Sequence, residues 1–253
     1  MEKYIRNRIY VTPHEQEVIK QCRIILGGAG IGSIIAECAL RLGFENLTIV
    51  DGDRVEESNL NRQNYLASDI GDYKVQALKK RLLKINPTAN IIIINKYINQ
   101  NNVEEFITNK DIAINALDYK SEIPFIFDEY CQRNGIPVIH PFNIGWGGLV
   151  FVVTPESNKF SDFSSNPDSF EINLVDYIIN KFSASGDSKS WLRDILESLK
   201  DENATHSLPP PQLSIGSWIV AGMVTNIMFK IAINKEVRCF PGFYMSTIKE
   251  DIF

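Results

Sequence analysis

The sequence contains few cysteines, and none of them form the pairs that hold a metal. The four cysteines among 253 residues are widely scattered (Cys22, Cys38, Cys131 and Cys239) and include no C-x-x-C pattern. The common structural zinc sites need such pairs, so we expect no zinc. Isolated cysteines also fit a reducing compartment, which predicts a cytoplasmic protein whose cysteines are small buried apolar residues.

Long apolar runs and blocks of basic residues are also missing. No uninterrupted apolar run reaches the about 18–20 residues that cross a bilayer, and the N-terminal MEKYIRNRIY lacks the apolar core of a secretory signal. The formal net charge is −5, and no cluster of lysine and arginine stands out to neutralise phosphates. We therefore expect no membrane span, and a nucleic-acid partner is disfavoured.

The stretch from residue 23 to residue 53 has the pattern of a nucleotide-binding βαβ unit. A buried strand is predicted over 24–26, a helix over 33–42 and a second strand over 47–50, which Asp51 follows. Glycines let the chain turn sharply beneath a phosphate, and an acid about 20 residues later can bind ribose hydroxyls. The turn comprises Gly27, Gly28, Ala29, Gly30, Ile31 and Gly32, with Ala29 where the fingerprint has its middle glycine.

Further polar residues follow the predicted strands at the sheet edge where open parallel sheets bind ligands. The loop over 54–63 has no helical or strand period and ends in S-N-L-N-R-Q. Lys74 lies in the first turn of an amphipathic helix predicted over 73–85, where a cation opposes the helix dipole, so it is either a phosphate contact or a solvated lysine. Asp118 follows a strand over 111–116, either as a second acid at this edge or as the N-cap of a helix over 122–134.

The remaining elements predict an α/β fold. It is a Rossmann-like open, mostly parallel sheet with helices on both faces, an antiparallel extension, and a helical or loop insertion. Thr12 and Pro13 begin an N-terminal helix that runs to Gln21. The other predicted elements are strands over 90–95, 136–140 and 149–153, helices over 102–109, 170–182, 188–200 and 215–233, a proline connector over 208–211, and a strand or extended tail over 239–248.

We interpret residues 1–253 as a single domain. Its nucleotide-binding core is expected over 22–155, an insertion or crossover segment over 156–213, and a C-terminal helix and tail over 214–253.

Several spaced motifs together resemble a known enzyme family. D-G-D-R-V-E-E-S-N-L-N-R-Q over 51–63, G-D-Y-K over 71–74 and A-L-D over 116–118 look like the ThiF/MoeB/HesA adenylyltransferases, which share their fold with ubiquitin-activating enzymes. The resemblance covers 1–155 and, in outline, 208–233. It implies an ATP- and magnesium-dependent enzyme that activates the C-terminal carboxylate of a ubiquitin-like protein or a small precursor peptide as an acyl-adenylate, releasing pyrophosphate.

The resemblance also implies a role for each matching residue. Asp51 would hold the ribose above the glycine turn, Asp53 would order the phosphate-side loop, and Asp118 would hold magnesium. The triphosphate would be held by Asn59, Arg62 and Lys74, with Gln63 in the same run. The segment over 3–7 is similar to an R-Y-x-R-Q segment whose second arginine enters the partner subunit's site. Arg6 would then be a catalytic arginine finger in a homodimer, unless the segment is a solvated basic arm.

The sequence departs from the family in three places. The paired C-x-x-C zinc site of many members is missing, and 156–213 contains no cysteine, which favours adenylation without a thioester step. The insertion, with its proline run, would receive the tail of the acyl substrate. Ala29 adds a methyl group where the backbone is expected to meet the nucleotide.

Other functions remain open from the sequence. The dehydratase that activates the carboxylate of threonylcarbamoyl-adenosine in tRNA belongs to the same family, but the lack of a basic surface disfavours it. An NAD-dependent Rossmann oxidoreductase would also use Asp51, yet it has no evident His–Arg pair and leaves the loop before Lys74 unexplained. An inactive scaffold is disfavoured by the intact Arg62 and Asp118.

Overall fold

One sheet forms the centre of the fold. The computed structural model describes residues 2–163, 166–184, 190–205 and 211–248. The strands in this part of the chain are β1 (Arg23–Gly27), β2 (Asn46–Val50), β3 (Asn90–Ile94), β4 (Ile112–Asn115), β5 (Val138–Asn143), β6 (Gly147–Val153) and β7 (Tyr244–Thr247). Their order is β3-β2-β1-β4-β5-β6-β7. Strands β1 to β5 are parallel to one another, and β6 is antiparallel to both of its neighbours, β5 and β7. The predicted open, mostly parallel sheet with an antiparallel extension is confirmed.

Helices cover both faces of this sheet, as predicted. They are α1 (Pro13–Gln21), α2 (Gly32–Leu42), α3 (Lys74–Ile85), α4 (Val103–Ile107), α5 (Ile123–Arg133), α6 (Phe160–Phe163), α7 (Pro167–Ala184), α8 (Ser190–Thr205) and α9 (Ser214–Ala232), with 3-10 turns at Glu2–Asn7, Glu57–Asn59 and Ala67–Asp69. The N-cap predicted at Thr12 is present, and its side chain exchanges hydrogen bonds with Glu15 in a capping box.

Each face of the sheet has its own hydrophobic core, because neighbouring residues of a strand point to opposite faces. Leu26 belongs to the core that contains residues of α2, α3 and α9. Ile25 belongs to the other core, which contains residues of α4, α5 and α7. The sheet is therefore buried on both sides, and its loop edges are where a ligand can reach the chain.

The insertion adds helices to the second core. The helices predicted over 170–182 and 188–200 are present and longer, as α7 and α8. Before α7, the short helix α6 forms and buries Phe160 against Phe170 and Phe240. Of the proline connector, residues 208–210 lie outside the described part of the chain.

The apolar helix predicted over 215–233 is α9. By length and composition alone α9 could cross a membrane. Here it packs against α2, β5 and β6 and buries Val220, Val224 and Met228 in the first core. Gly216 lets its first turn approach the loop between β5 and β6, because a Cβ there would overlap the Asn143 side chain.

Candidate nucleotide site

The predicted site residues other than Arg6 lie at the carboxyl edge of the central strands. In the sheet register Gly27, the last residue of β1, pairs with Val50 of β2 and with Asn115 of β4. The glycine turn, Asp51 and Asp118 follow these three strand ends directly. This edge is the crevice in which doubly wound sheets bind nucleotides.

The glycine turn is shaped by two close approaches. Gly28 has φ of +96°, and a Cβ at this position would overlap the carbonyl oxygen of Ala116. Gly30 is half-buried and lies against Gln63, whose Nε2 would be 3.3 Å from an added Cβ. Only glycine adopts the positive φ and the close approach at position 28 without strain. The absence of a side chain at position 30 lets the loop that contains Gln63 lie close to the turn.

Ala29 packs its methyl group into the protein interior. The residue is completely buried and belongs to the first hydrophobic core. Its N–H donates to Asp51 Oδ2 at 2.7 Å, and its carbonyl accepts from Tyr65 Oη at 2.7 Å. The methyl group therefore does not line an open surface, and it leaves the approach of a nucleotide to Gly30 unobstructed.

Asp51 is held in place by backbone groups. Its two carboxylate oxygens accept from the N–H groups of Ala29 and Asp53, each at 2.7 Å. Burial raises its pKa, and these hydrogen bonds and the charge of Lys74 only partly offset that effect. Two carboxylate oxygens offer about four acceptor positions, so Asp51 retains capacity for ribose hydroxyls.

Lys74 is buried and paired, so the alternative of a solvated lysine is wrong. Its side chain is 9% exposed, and Nζ lies 2.9 Å from Asp53 Oδ2. Burial works to raise the pKa of Asp53, but the hydrogen bond and charge of Lys74 outweigh it and leave the pKa below its usual value. Tyr97 donates to Asp53 Oδ1 at 2.9 Å, and its ring lies against Gly52.

The loop over 58–63 is anchored at both ends. Asn59 Oδ1 accepts from Glu56 N at 3.0 Å, which closes the 3-10 turn that starts the loop. After the loop, Asn64 N donates to Ser33 Oγ at 2.9 Å, and the Asn64 amide donates to the buried Glu37. The loop is thereby fixed against α2, with Arg62 half-buried between its anchors.

Asp118 is exposed at the end of β4. The N-cap of α5 is Glu122, so the alternative that Asp118 caps this helix is wrong. The described residues contain no group of three or more His, Cys, Asp or Glu side chains placed to hold a metal. Magnesium in nucleotide sites is commonly held by one or two carboxylates together with phosphates and waters, so a single accessible carboxylate fits this ion.

Arg6 lies at the opposite edge of the sheet from the other candidates. Its segment is docked, because Lys3 Nζ donates to Asn86 Oδ1 and Tyr4 Oη donates to Glu45 Oε1, each at 2.7 Å. Glu45 precedes β2 and Asn86 follows α3, so both lie at the amino edge. Arg6 is exposed there and cannot contribute to the site of its own subunit.

A buried polar network lies behind Asp118, and no pattern in the sequence indicated it. Asn115 Nδ2 donates to Asp128 Oδ1 at 2.8 Å, and Asp128 Oδ2 lies 3.2 Å from His140 Nε2 without hydrogen-bond alignment. His140 Nδ1 lies 3.0 Å from Tyr119 Oη. The network joins β4, β5 and α5 to the residue that follows Asp118. Its members are far apart in sequence, and none has a local pattern that would single it out.

Comparison with known proteins adds a family and a fold. The model of the ThiF family matches residues 4–248, and thus continues across 156–213, beyond the ranges that carry the motif resemblance. The solved structure of PaaA matches with a TM-score of 0.70 and 20% identity, over 98% of this chain and 70% of that one. The structure of E. coli MccB with AMPCPP and MccA matches with a TM-score of 0.68 and 18% identity, over 91% of this chain and 63% of the MccB chain.

Curated relatives match over part of their length. The sulfur carrier protein ThiS adenylyltransferase of Bacillus subtilis is 31% identical over 161 residues, which is 61% of this chain and 48% of the relative. The molybdopterin-synthase adenylyltransferase of Haemophilus influenzae is 33% identical over 56% of this chain and 59% of the relative. The tRNA threonylcarbamoyladenosine dehydratase of the same organism is 33% identical over 52% of this chain and 51% of the relative. The chain thus spans about half the length of these relatives.

Proposed function

The chain belongs to the ThiF family, and we propose that it is an ATP- and magnesium-dependent adenylyltransferase. Its acyl substrate is the C-terminal carboxylate of a ubiquitin-like protein or of a small precursor peptide. The observation that supports this most is the burial of Lys74 beside Asp53, since a buried ammonium group at a ligand edge is suited to bind anions. Relatives named as adenylyltransferases, and the crystals of MccB with ATP, support the same proposal.

In the proposed reaction a carboxylate oxygen bonds to the α-phosphorus of ATP. The bond from that phosphorus to the bridging oxygen breaks, and pyrophosphate leaves with the electron pair. The attacking carboxylate is already ionised at neutral pH, so no general base is required. The protein's contribution is to orient the two reactants and to place positive charge around the phosphates before the reaction.

Each candidate residue has a role in this proposal. Asp51 binds the ribose, and Arg62 and Lys74 bind the triphosphate with Asn59. Asp118 holds magnesium, which when bound supplies positive charge to the phosphate oxygens. Asp53 holds Lys74 until ATP is present, through the 2.9 Å contact between Lys74 Nζ and Asp53 Oδ2.

The proposal includes a homodimer in the cytoplasm, with Arg6 acting in the partner's site. The position of Arg6 at the amino edge supports a role between subunits over one within a subunit. Arg6→Ala and Asp118→Ala chains, mixed in equal amounts, test it by pyrophosphate exchange. Mixed dimers should regain part of the activity that each variant lacks alone. If mixing restores none, Arg6 does not act in trans.

The dehydratase acting on tRNA is the second candidate, favoured by the similarity to relatives of that name. The net charge of −5 disfavours it, because tRNA binding depends on lysine and arginine at the phosphates. ATP consumption stimulated by tRNA, and unaffected by peptides, would favour the dehydratase over the proposal.

Nucleotide binding tests the site assignment directly. We expect AMPCPP with magnesium to bind the wild type, and NAD not to compete. Arg62→Ala and Lys74→Met should each weaken AMPCPP roughly tenfold or more, through the loss of a charged hydrogen bond, and leave adenosine binding unchanged. Arg133→Ala, which removes an exposed arginine on α5, is the matched control. Equal losses for adenosine and AMPCPP would contradict the triphosphate role.

A further inference from the structure

The segment before α9 contacts the arginine of the 58–63 loop. Arg62 Nε donates to Gln212 Oε1 at 2.7 Å, between residues 150 positions apart in sequence. Gln212 lies two residues before α9, at the end of the crossover segment. This contact joins the segment proposed to receive the acyl substrate to the residue proposed to bind the phosphates.

Among the described residues, every acceptor that holds the Arg62 guanidinium is neutral. Besides Gln212, these are the Ser58 carbonyl oxygen at 2.7 Å and Asn61 Oδ1 at 2.8 Å, both of which accept from Nη1. Arg62 forms no ion pair with the described residues, and its Nη2 group makes no hydrogen bond to them. The guanidinium is therefore oriented without being neutralised, which is what an anion site requires.

Asn61 closes these contacts into a ring. Its side-chain oxygen accepts from Arg62, and its Nδ2 donates to the Gln212 backbone carbonyl at 3.3 Å. The backbone of Gln212 and the side chain of Gln212 are thus both tied to the loop over 58–63. A movement of this segment would change the orientation of the arginine.

The other end of the segment is anchored to the sheet. Asn143 Nδ2 donates to the Leu213 carbonyl at 2.8 Å and to Ser217 Oγ at 2.9 Å. Asn143 is the last residue of β5, so the segment contacts both the loop over 58–63 and the end of β5 at the same sheet edge. The residue after Gln212 is therefore hydrogen-bonded to β5, which fixes the backbone position of Gln212 relative to the sheet.

We propose that Gln212 is a positioning residue for Arg62, which orients the guanidinium toward the phosphates of ATP while leaving its charge unpaired. This rests on the proposed function, because it assigns Arg62 to the phosphates. A glutamate of the same size would accept the same hydrogen bond but would neutralise the guanidinium. A methionine of similar size would neither accept the bond nor add charge.

The test measures AMPCPP and adenosine affinity, with magnesium, in Gln212→Glu and Gln212→Met. We expect AMPCPP to bind roughly tenfold more weakly to both, with the larger loss for Gln212→Glu, and adenosine to bind as in the wild type. Gln21→Ala, on the exposed face of α1, is the matched control and should bind both ligands normally. AMPCPP affinity within twofold of wild type in both Gln212 variants would overturn the proposal.

A double-mutant cycle separates positioning from a general structural effect. If Gln212 acts through Arg62, Gln212→Met should cause no further loss of AMPCPP affinity in the Arg62→Ala background. Additive losses would overturn the proposal. The unfolding midpoint of each variant identifies any loss of folded protein. If the wild type binds no AMPCPP, the proposed function itself fails. If the wild type binds AMPCPP and both Gln212 variants bind it equally well, only the positioning role fails.

Discussion

Lys74 Nζ lies 2.9 Å from Asp53 Oδ2, and the backbone N–H of Asp53 donates to Asp51 Oδ1. These contacts link the residue proposed for the phosphates to the residue proposed for the ribose. Lys74 is buried, whereas the side chain of Asp53 is 48% exposed. The pair therefore keeps a buried cation beside a half-exposed carboxylate, and the proposal is that a phosphate of ATP replaces this carboxylate.

We expect Lys74→Met to separate binding from stability. A methionine fills a similar volume without a buried charge, so the free energy of unfolding should stay within about 1 kcal/mol of wild type or rise. Asp53→Ala leaves the Lys74 ammonium without its partner and should lower that free energy by about 1–2 kcal/mol, a modest loss because Asp53 is half exposed. Urea unfolding measures both. A loss of several kcal/mol in Lys74→Met would mean that the pair is structural.

The glycine turn provides a matched pair of substitutions. Ala29→Gly removes a buried methyl group and should lower the free energy of unfolding by about 1 kcal/mol. Gly28→Ala places a Cβ against the carbonyl of Ala116 at φ of +96° and should cost more than about 2 kcal/mol. AMPCPP affinity should be unchanged in Ala29→Gly. Tighter binding in that variant would show that the methyl group obstructs the nucleotide.

The buried Glu37 makes stability depend on acid pH. Burial works to raise its pKa, but hydrogen bonds from Arg81, Asn64 and Arg41 outweigh it and hold the pKa below its ordinary value of 4.5. The carboxylate therefore stabilises the fold fully above pH 4.5, and this stability is lost as pH falls below 4.5 through the lower folded value.

Glu37→Gln tests this dependence. At pH 6 the variant should be less stable than wild type by about 1–3 kcal/mol, because Arg81 loses its charged partner. The gap should narrow as the pH falls below 4.5, where the wild-type side chain becomes protonated. A gap that is constant with pH would contradict the ionised state of Glu37.

Tyr119, the residue after the proposed magnesium ligand Asp118, connects the insertion to β5. Its ring stacks on Phe170 of α7 with centroids 4.2 Å apart, and its hydroxyl reaches His140. Tyr119→Phe should lower the free energy of unfolding by about 1 kcal/mol, and Tyr119→Ala by about 3–5 kcal/mol, in thermal or urea unfolding. Equal losses would show that the hydroxyl, not the ring, determines the stability here.

The sequence predicted the sheet and its nucleotide edge because their signals are local. Glycines before a helix, an acid after a strand and apolar runs of strand length each lie within a few residues of one another. The strand predicted from Asn90 begins at that residue, and the helix predicted from Tyr73 begins one residue later, at Lys74. Boundaries within the insertion were less accurate, because its helices are fixed by contacts with the second core.

Long-range contacts could not be predicted. Nothing near Lys74 in the sequence indicates that its ammonium is buried against Asp53, and nothing near Gln212 indicates that it reaches Arg62. The position of the Ala29 methyl also depends on how α2 packs on the sheet. Burial of polar groups is decided by elements that meet only in the folded chain.

Exchange of labelled pyrophosphate into ATP tests the central claim most directly. With magnesium and a candidate C-terminal peptide, or a ubiquitin-like protein with a free C-terminus, the wild type should catalyse exchange. Asp118→Ala should lose it, and Asp111→Ala, which removes an acid at the amino edge, should retain it. Exchange that persists in Asp118→Ala, or binding of NAD in place of ATP, would contradict the adenylation account.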